Sequence, residues 1–223
     1  MTYDKISRRI EDAALTILGG FAPRADDGAP EGCRTLLLLG PGPDFWPRIT
    51  RSAEFQDAAP DPIDRWSRRV ISGLAGEFDA TPIFPFGGPP YAPFYSWALR
   101  SGRVWSSPVA FLVHDVQGLF VSFRGALSFA MDIPLPPVDR PRPCDECAQP
   151  CVSACPVGAL TPTGYDVPNC KDFLGQDAGQ PCLMTGCGVR RACPVGATLR
   201  HPEQSAYHMA EFLGNAPKSA DAL

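Results

Sequence analysis

Cys144, Cys147, Cys151 and Cys155 form one run in the chain, and Cys170, Cys182, Cys187 and Cys193 form a second. Each run closes on the same hexapeptide, Ala-Cys-Pro-Val-Gly-Ala, at Ala154–Ala159 and again at Ala192–Ala197. Eight thiols within 50 residues, in two sets that each end in Cys-Pro, have the make-up of ligands for two [4Fe–4S] clusters. A four-iron cube needs one thiolate per iron, so eight cysteines complete two cubes with none left over. The chemistry such a pair performs is the movement of single electrons.

Three closely spaced cysteines can wrap one cube, because a short loop turns their side chains inward. In two-cluster ferredoxins the fourth cysteine, the one before proline, ligates the other cluster. Proline fixes φ and offers no backbone donor, which helps turn the chain away. Crossing assigns Cys144, Cys147, Cys151 and Cys193 to one cluster, and Cys155, Cys170, Cys182 and Cys187 to the other. The spacing departs from the usual bacterial pattern: three residues separate Cys147 from Cys151, four separate Cys182 from Cys187, and five separate Cys187 from Cys193. An exchange of Cys170 or Cys182 between clusters, or loss of one to solvent, stays open.

Other uses of thiols compete. Structural zinc takes Cys₄ sites with Cys-x₂₋₄-Cys knuckles, and Cys144-x-x-Cys147 fits half of one, but zinc requires neither the repeat nor the double Cys-Pro ending. Disulfides need an oxidising compartment. The first residues, Met-Thr-Tyr-Asp-Lys-Ile-Ser-Arg-Arg, carry early charges and no apolar stretch, which is unlike a secretory leader and leads us to expect a cytoplasmic protein. Cys33 stands alone before Arg34-Thr-Leu-Leu-Leu-Leu and reads as a small buried residue.

The 223 residues allow one core domain and a cluster module. A formal charge of −4 with no basic run argues against a nucleic-acid surface, and no apolar stretch approaches the ~18 residues of a membrane span. The 26 prolines lie chiefly in the connectors 41–47, 60–62, 82–93 and 134–143.

The elements that must position the cysteines follow from periodicity. Ile6, Ile10, Ala13, Ala14, Ile17 and Leu18 recur at helical spacing and predict an N-terminal helix stopping at Gly19-Gly20. Thr35–Leu39 reads as a buried central strand. Trp46 to Phe55 and Ile63 to Leu74 read as helices, the second opened by Asp61-Pro62. A short helix is expected over Pro93 to Arg100, and strands over Val109–Val113, Leu119–Phe123 and Ala126–Met131. The stretch 134–143 is a stiff linker, and Ala206 to Leu213 a closing helix before a frayed end. These readings predict an α+β core over 1–137, a two-cluster ferredoxin-like module over 138–200 and a tail over 201–223.

Core, proline-rich passage and eight-cysteine module, in that order, resemble the shared core of epoxyqueuosine reductases and corrinoid reductive dehalogenases. The lone Cys170 between the two Cys-Pro runs is similar to the former. The core resembles the CblC-type cobalamin-processing domain through Asp61-Pro-Ile-Asp-Arg-Trp66, Gly118-Leu-Phe-Val-Ser-Phe-Arg-Gly125 and Pro134-Leu-Pro-Pro137. The resemblance implies a nitroreductase-like sheet-and-helix fold binding a corrin or flavin, cobalamin or FMN. This sequence departs from the reductases where it reads Gly102-Arg-Val-Trp-Ser-Ser-Pro-Val109 and lacks their lysine. Aligned without gaps, their catalytic aspartate falls on Gly88, and Asp79 could substitute only through a gap.

In those relatives the stretch corresponding to Phe86–Trp97 lies beside the cofactor. Here Tyr91, Tyr95 and Trp97 are the candidates for stacking on a flat ring, unless they simply plug the core. Arg124 is the candidate for a ligand phosphate or amide, or else a structural ion pair. His114 reads as a satisfied turn or core histidine, and His201 and His208 as surface or packing residues. Two functions remain open. One is a reductase receiving electrons from a ferredoxin or flavodoxin and passing them through the clusters to a corrin or flavin. The other is a non-enzymatic electron carrier or docking protein whose core binds no cofactor.

Overall fold

Four consecutive leucines, Leu36–Leu39, have no polar face to offer solvent and need cover on both sides. They sit in the middle strand of a sheet, each 0% exposed. The structure, a computed structural model, describes residues 1–199 and 201–214. Its elements begin α1 (Tyr3–Asp12), β1 (Leu15–Phe21), β2 (Thr35–Pro41), α2 (Phe45–Ile49), α3 (Ala53–Gln56), α4 (Pro62–Phe78), β3 (Thr81–Ile83) and α5 (Phe94–Arg100). There follow β4 (Val104–Ser106), β5 (Leu112–His114), β6 (Gly125–Phe129), β7 (Leu160–Thr161) and β8 (Gly164–Tyr165). The chain closes with α6 (Val167–Leu174), α7 (Gln180–Thr185), α8 (Gly188–Ala192) and α9 (Pro202–Leu213). The class is α+β, and the chain divides into two compact units: residues 1–104 with 122–139, and residues 105–121 with those from 140 on.

The first unit is built on an antiparallel sheet ordered β1-β2-β6-β3. Leu37 pairs with Gly20 on one side and with Leu127 on the other, so the leucine run is flanked by strands throughout. Helix α4 covers the sheet with the stripe Ile63, Trp66, Ser67, Ile71, Leu74 and Ala75, an i, i+3, i+4 spacing that keeps one face buried. Each fully buried Ile or Leu contributes about 1.5–3 kcal/mol relative to exposure. Trp66 meets Phe45 edge-on at 5.2 Å.

Several expected elements take a different form. Helix α1 stops at Asp12, and Ala14 turns the chain with φ +61, so Ile17 and Leu18 continue in strand β1. The β-branched Thr16-Ile17 pair and the open edge of β2 outweigh a helical period that Ile6 and Ile10 alone satisfy. The expected helix from Trp46 to Phe55 is two short ones. Thr50 Oγ1 donates back to the Trp46 carbonyl at 3.0 Å, and extended Ser52 restarts the chain before α3. Asp61 precedes α4 as expected but has φ +55 and makes no side-chain cap. Strand β3 was not foreseen because of Pro82, which the edge position tolerates.

The second unit takes in a segment assigned from sequence to the core domain. Of the predicted strand Val109–Val113, only Leu112–His114 is strand, since Ala110 turns with φ +60. Residues 119–123 form no strand. Val109, Val113 and Leu119 instead join Cys151, Leu160, Val189 and Cys193 in one buried cluster. At Gly118 (φ +57) a Cβ would stand 2.2 Å from the Val195 carbonyl oxygen, so only glycine lets this hairpin approach the chain after Cys193. Helix α9, four residues longer at its start than expected, packs along α7 within this unit rather than forming a separate tail. The expected frayed end lies outside the described residues. Among the described residues no helix is long and apolar enough to cross a membrane.

Candidate metal centres

Short elements present the eight thiols. The 3₁₀ turn Pro150–Ser153 carries Cys151, and Cys155 follows it. Asp166 caps α6 by accepting from the Asn169 N–H at 3.1 Å, fixing the helix that carries Cys170. Cys182 lies in α7, and Cys187 and Cys193 flank α8. Six positions along a helical path is about 1.7 turns, so α8 sends those last two thiols to different faces.

Two cavities result. One, of about 130 Å³, is lined by Cys155, Cys170, Cys182 and Cys187. The other, of about 20 Å³, is lined by Cys144, Cys147, Cys151 and Cys193. The same division governs the electrostatics. Cys144 is influenced by Cys151, Cys147 and Cys193, whereas Cys170 is influenced by Cys187, Cys155 and Cys182. Burial pushes the Cys144, Cys151 and Cys170 thiols above the ordinary range, with neighbouring thiols adding to the rise. Each set also receives a backbone donor: Gln149 N–H to Cys147 Sγ at 3.3 Å, and Ala159 N–H to Cys155 Sγ at 3.2 Å. Cys33 stays apart, its thiol directed at the Thr35 carbonyl.

Two kinds of metal can be tested against these sites. A tetrahedral zinc draws its thiolates to about 2.3 Å from one point. Among the described residues no three His, Cys, Asp or Glu side chains converge closely enough for a single ion. A four-iron cube instead needs its thiolates spread around a volume. The second cavity has that form, with apolar walls from Phe111, Leu160, Leu174 and Val189. The first is tighter, so a cube there requires side chains to swing outward on the exposed 145–150 turn. Both sites hold polar groups awaiting a partner. Ser107 Oγ, in the lining of the first cavity, is buried without a hydrogen bond. Arg190, in the lining of the second, makes no ion pair with a carboxylate among the described residues.

Tyr165 completes the second site. Its hydroxyl hydrogen-bonds Cys170, its ring stacks on Phe212 at 6.0 Å, and Phe111 meets it edge-on at 6.1 Å. Burial, followed by the Cys170 bond, pushes its phenol well above the ordinary range, so it remains a donor. Ser107, Phe111, Tyr165 and Arg190 were all missed by sequence reasoning. Arg190 and Tyr165 lie within the cysteine-rich stretch, but Ser107 carries no local signal of its role.

The candidate residues of the first unit are not brought together as a stacking platform. Trp97 is 1% exposed, packs on Phe94 and donates its indole N–H to the Asp27 carbonyl at 2.7 Å, which makes it a core residue. Arg124 faces Asp64 at 3.3 Å and Ser122 Oγ at 3.2 Å, and burial pushes its guanidinium below the ordinary range. It is a structural partner of Asp64. Only Tyr91 and Tyr95 are open, at 65% and 51% exposure. Asp79 ends α4 in the left-handed region with φ +54. His114 is buried, and its Nδ1 accepts from the Val116 and Gln117 N–H groups at 3.0 and 3.1 Å.

No family model matches the chain, and no curated protein matches it. Solved structures similar to it include an epoxyqueuosine reductase from Bacillus subtilis, at 16% identity and a TM-score of 0.47. Another is an epoxyqueuosine reductase with an epoxyqueuosine-modified tRNA-Tyr stem loop, at 15% and 0.46. Each comparison covers 91% of this chain and 69% of the other. Likeness at this level carries no argument about function, which is drawn from the side chains.

Proposed function

We propose that this chain is an iron–sulfur redox protein that takes up single electrons from a ferredoxin or flavodoxin and passes them on through two [4Fe–4S] clusters. Cys144, Cys147, Cys151 and Cys193 would hold one cluster, and Cys155, Cys170, Cys182 and Cys187 the other. The supporting observation is the sorting of eight of nine cysteines into two sets of four, each around its own cavity and each drawing on both cysteine runs. When bound, a cluster supplies reversible one-electron chemistry. The protein's part is to fix the thiolates, direct backbone N–H groups at two sulfurs, and keep the second site in apolar surroundings.

An acceptor in the first unit belongs to the same proposal. A flat corrin or flavin there would use the exposed rings of Tyr91 and Tyr95, while Trp97 and Arg124 are committed elsewhere. Anaerobic loading with ferrous iron and sulfide tests the reading. About eight irons and eight sulfides per chain, with a broad reducible absorption, are expected. A chain that takes only zinc, or no metal, overturns it. Optical titration of the loaded protein with cobalamin and with FMN tests the acceptor separately.

A further inference from the structure

Arg190 is a cation without a carboxylate. Its guanidinium lies 4.9 Å from the Phe111 ring centre, lines the second cavity, and has Cys187 and Tyr165 as its electrostatic neighbours. A desolvated charge needs a counter-charge close by, and nothing among the described residues supplies one apart from the thiol set. The first site differs. Its nearest cation, Arg142, has a side chain 43% exposed, with Asp145 at 3.8 Å and the Ser106 carbonyl at 2.7 Å. Solvent and a carboxylate already neutralise it.

We propose that Arg190 and Tyr165 are a fixed cation and a fixed hydroxyl donor that selectively raise the reduction potential of the group held by Cys155, Cys170, Cys182 and Cys187. The inference rests on the iron–sulfur reading above and extends it to residues outside the ligand set. Reduction adds one negative charge. A guanidinium and an O–H aimed at the sulfurs stabilise the reduced form more than the oxidised one. The apolar lining strengthens both effects, because a low local dielectric screens them less. The aromatic neighbours on either side of Tyr165 hold its hydroxyl at Cys170, so little reorganisation is needed when charge arrives. One electron enters from an external one-electron reductant, no bond to the protein forms or breaks, and the proton stays on Tyr165.

The test uses the full chain, loaded anaerobically and titrated with dithionite while electron paramagnetic resonance and absorption are followed. Cys193→Ala, which removes a first-site ligand, identifies the wave of the second site. Arg190→Gln should lower that wave by a roughly tenfold change in the reduction equilibrium, about 59 mV for one electron, and leave the other wave in place. Tyr165→Phe, which keeps both ring contacts, should lower the same wave by less. Arg190→Lys should restore most of the loss. An unmoved second wave in both Arg190→Gln and Tyr165→Phe, or equal movement of both waves, overturns the inference while the iron–sulfur reading stands. If Arg190→Gln does not load, Tyr165→Phe decides alone. Failure of the unsubstituted chain to bind iron and sulfide removes the reading and the inference together.

Discussion

Leu38 and Cys193 are both buried, at 0% and 7% exposure, for opposite reasons. Leu38 sits between two strands in a unit whose buried side chains are nearly all hydrocarbon, and burial is its whole contribution. Cys193 sits in a unit of short helices, two-residue strands and turns, where Cys151, Cys182 and Cys193 occupy positions a larger domain would give to leucine. The first unit closes its own core. The second has too little regular structure to do so cheaply, and its thiols need something to hold them. The comparison shows one chain using two sources of stability: area removed from water in one part, and metal–ligand bonds in the other.

Metal removal should break that comparison most visibly. Trp46, Trp66 and Trp97 lie in the first unit and Trp105 in the second, so tryptophan fluorescence reports each separately. Stripping iron by an anaerobic chelator should abolish protection of the second unit in hydrogen exchange and expose Trp105, while the other three stay shielded. Simultaneous collapse of both units would end the distinction. Leu38→Ala should act in reverse, costing about 2–5 kcal/mol in the first unit by denaturant unfolding while iron per chain stays unchanged.

Smaller effects sharpen the picture. Cys193→Ala should halve bound iron and leave the spectral signature of the other set. Loss of the second set's signal instead would show the crossed ligation to be wrong. Gly118→Ala forces a Cβ to within 2.2 Å of the Val195 carbonyl oxygen at φ +57. It should cost about 1–3 kcal/mol in the second unit, with reduced iron retention as the second readout. Ser107→Ala gives the smallest change and the most diagnostic sign. In the metal-free chain it removes an orphaned buried hydroxyl and should stabilise by about 1 kcal/mol. In the loaded chain it should be neutral or destabilising, because the hydroxyl then has a sulfur to donate to. Thermal unfolding of both forms reads the difference.

Much of the first unit was legible because its signals are local. Leu36–Leu39 announces a central strand by composition, and α4 announces itself by the stripe from Ile63 to Ala75. The failures there are competitions between local signals and neighbours. The helical period through Ile17 and Leu18 lost to the free edge of β2, and Pro82 concealed an edge strand. The aromatic run from Phe86 to Trp97 misled for a related reason: aromatic type does not distinguish a ring facing solvent from one closing a core. Trp97 and Tyr91 read alike in sequence and differ from 1% to 65% in exposure.

By itself the sequence determined the number of thiols, their division into two runs and the repeated Cys-Pro turns, since these are fixed by residue type and spacing. Only the tertiary structure decided that residues 105–121 belong with the cysteines. It alone placed Ser107 at one cavity and Tyr165 and Arg190 at the other. The physical reason is that ligand identity is written along the chain, whereas the charges and hydroxyls around a ligand are recruited through space, from segments with no spacing to betray them.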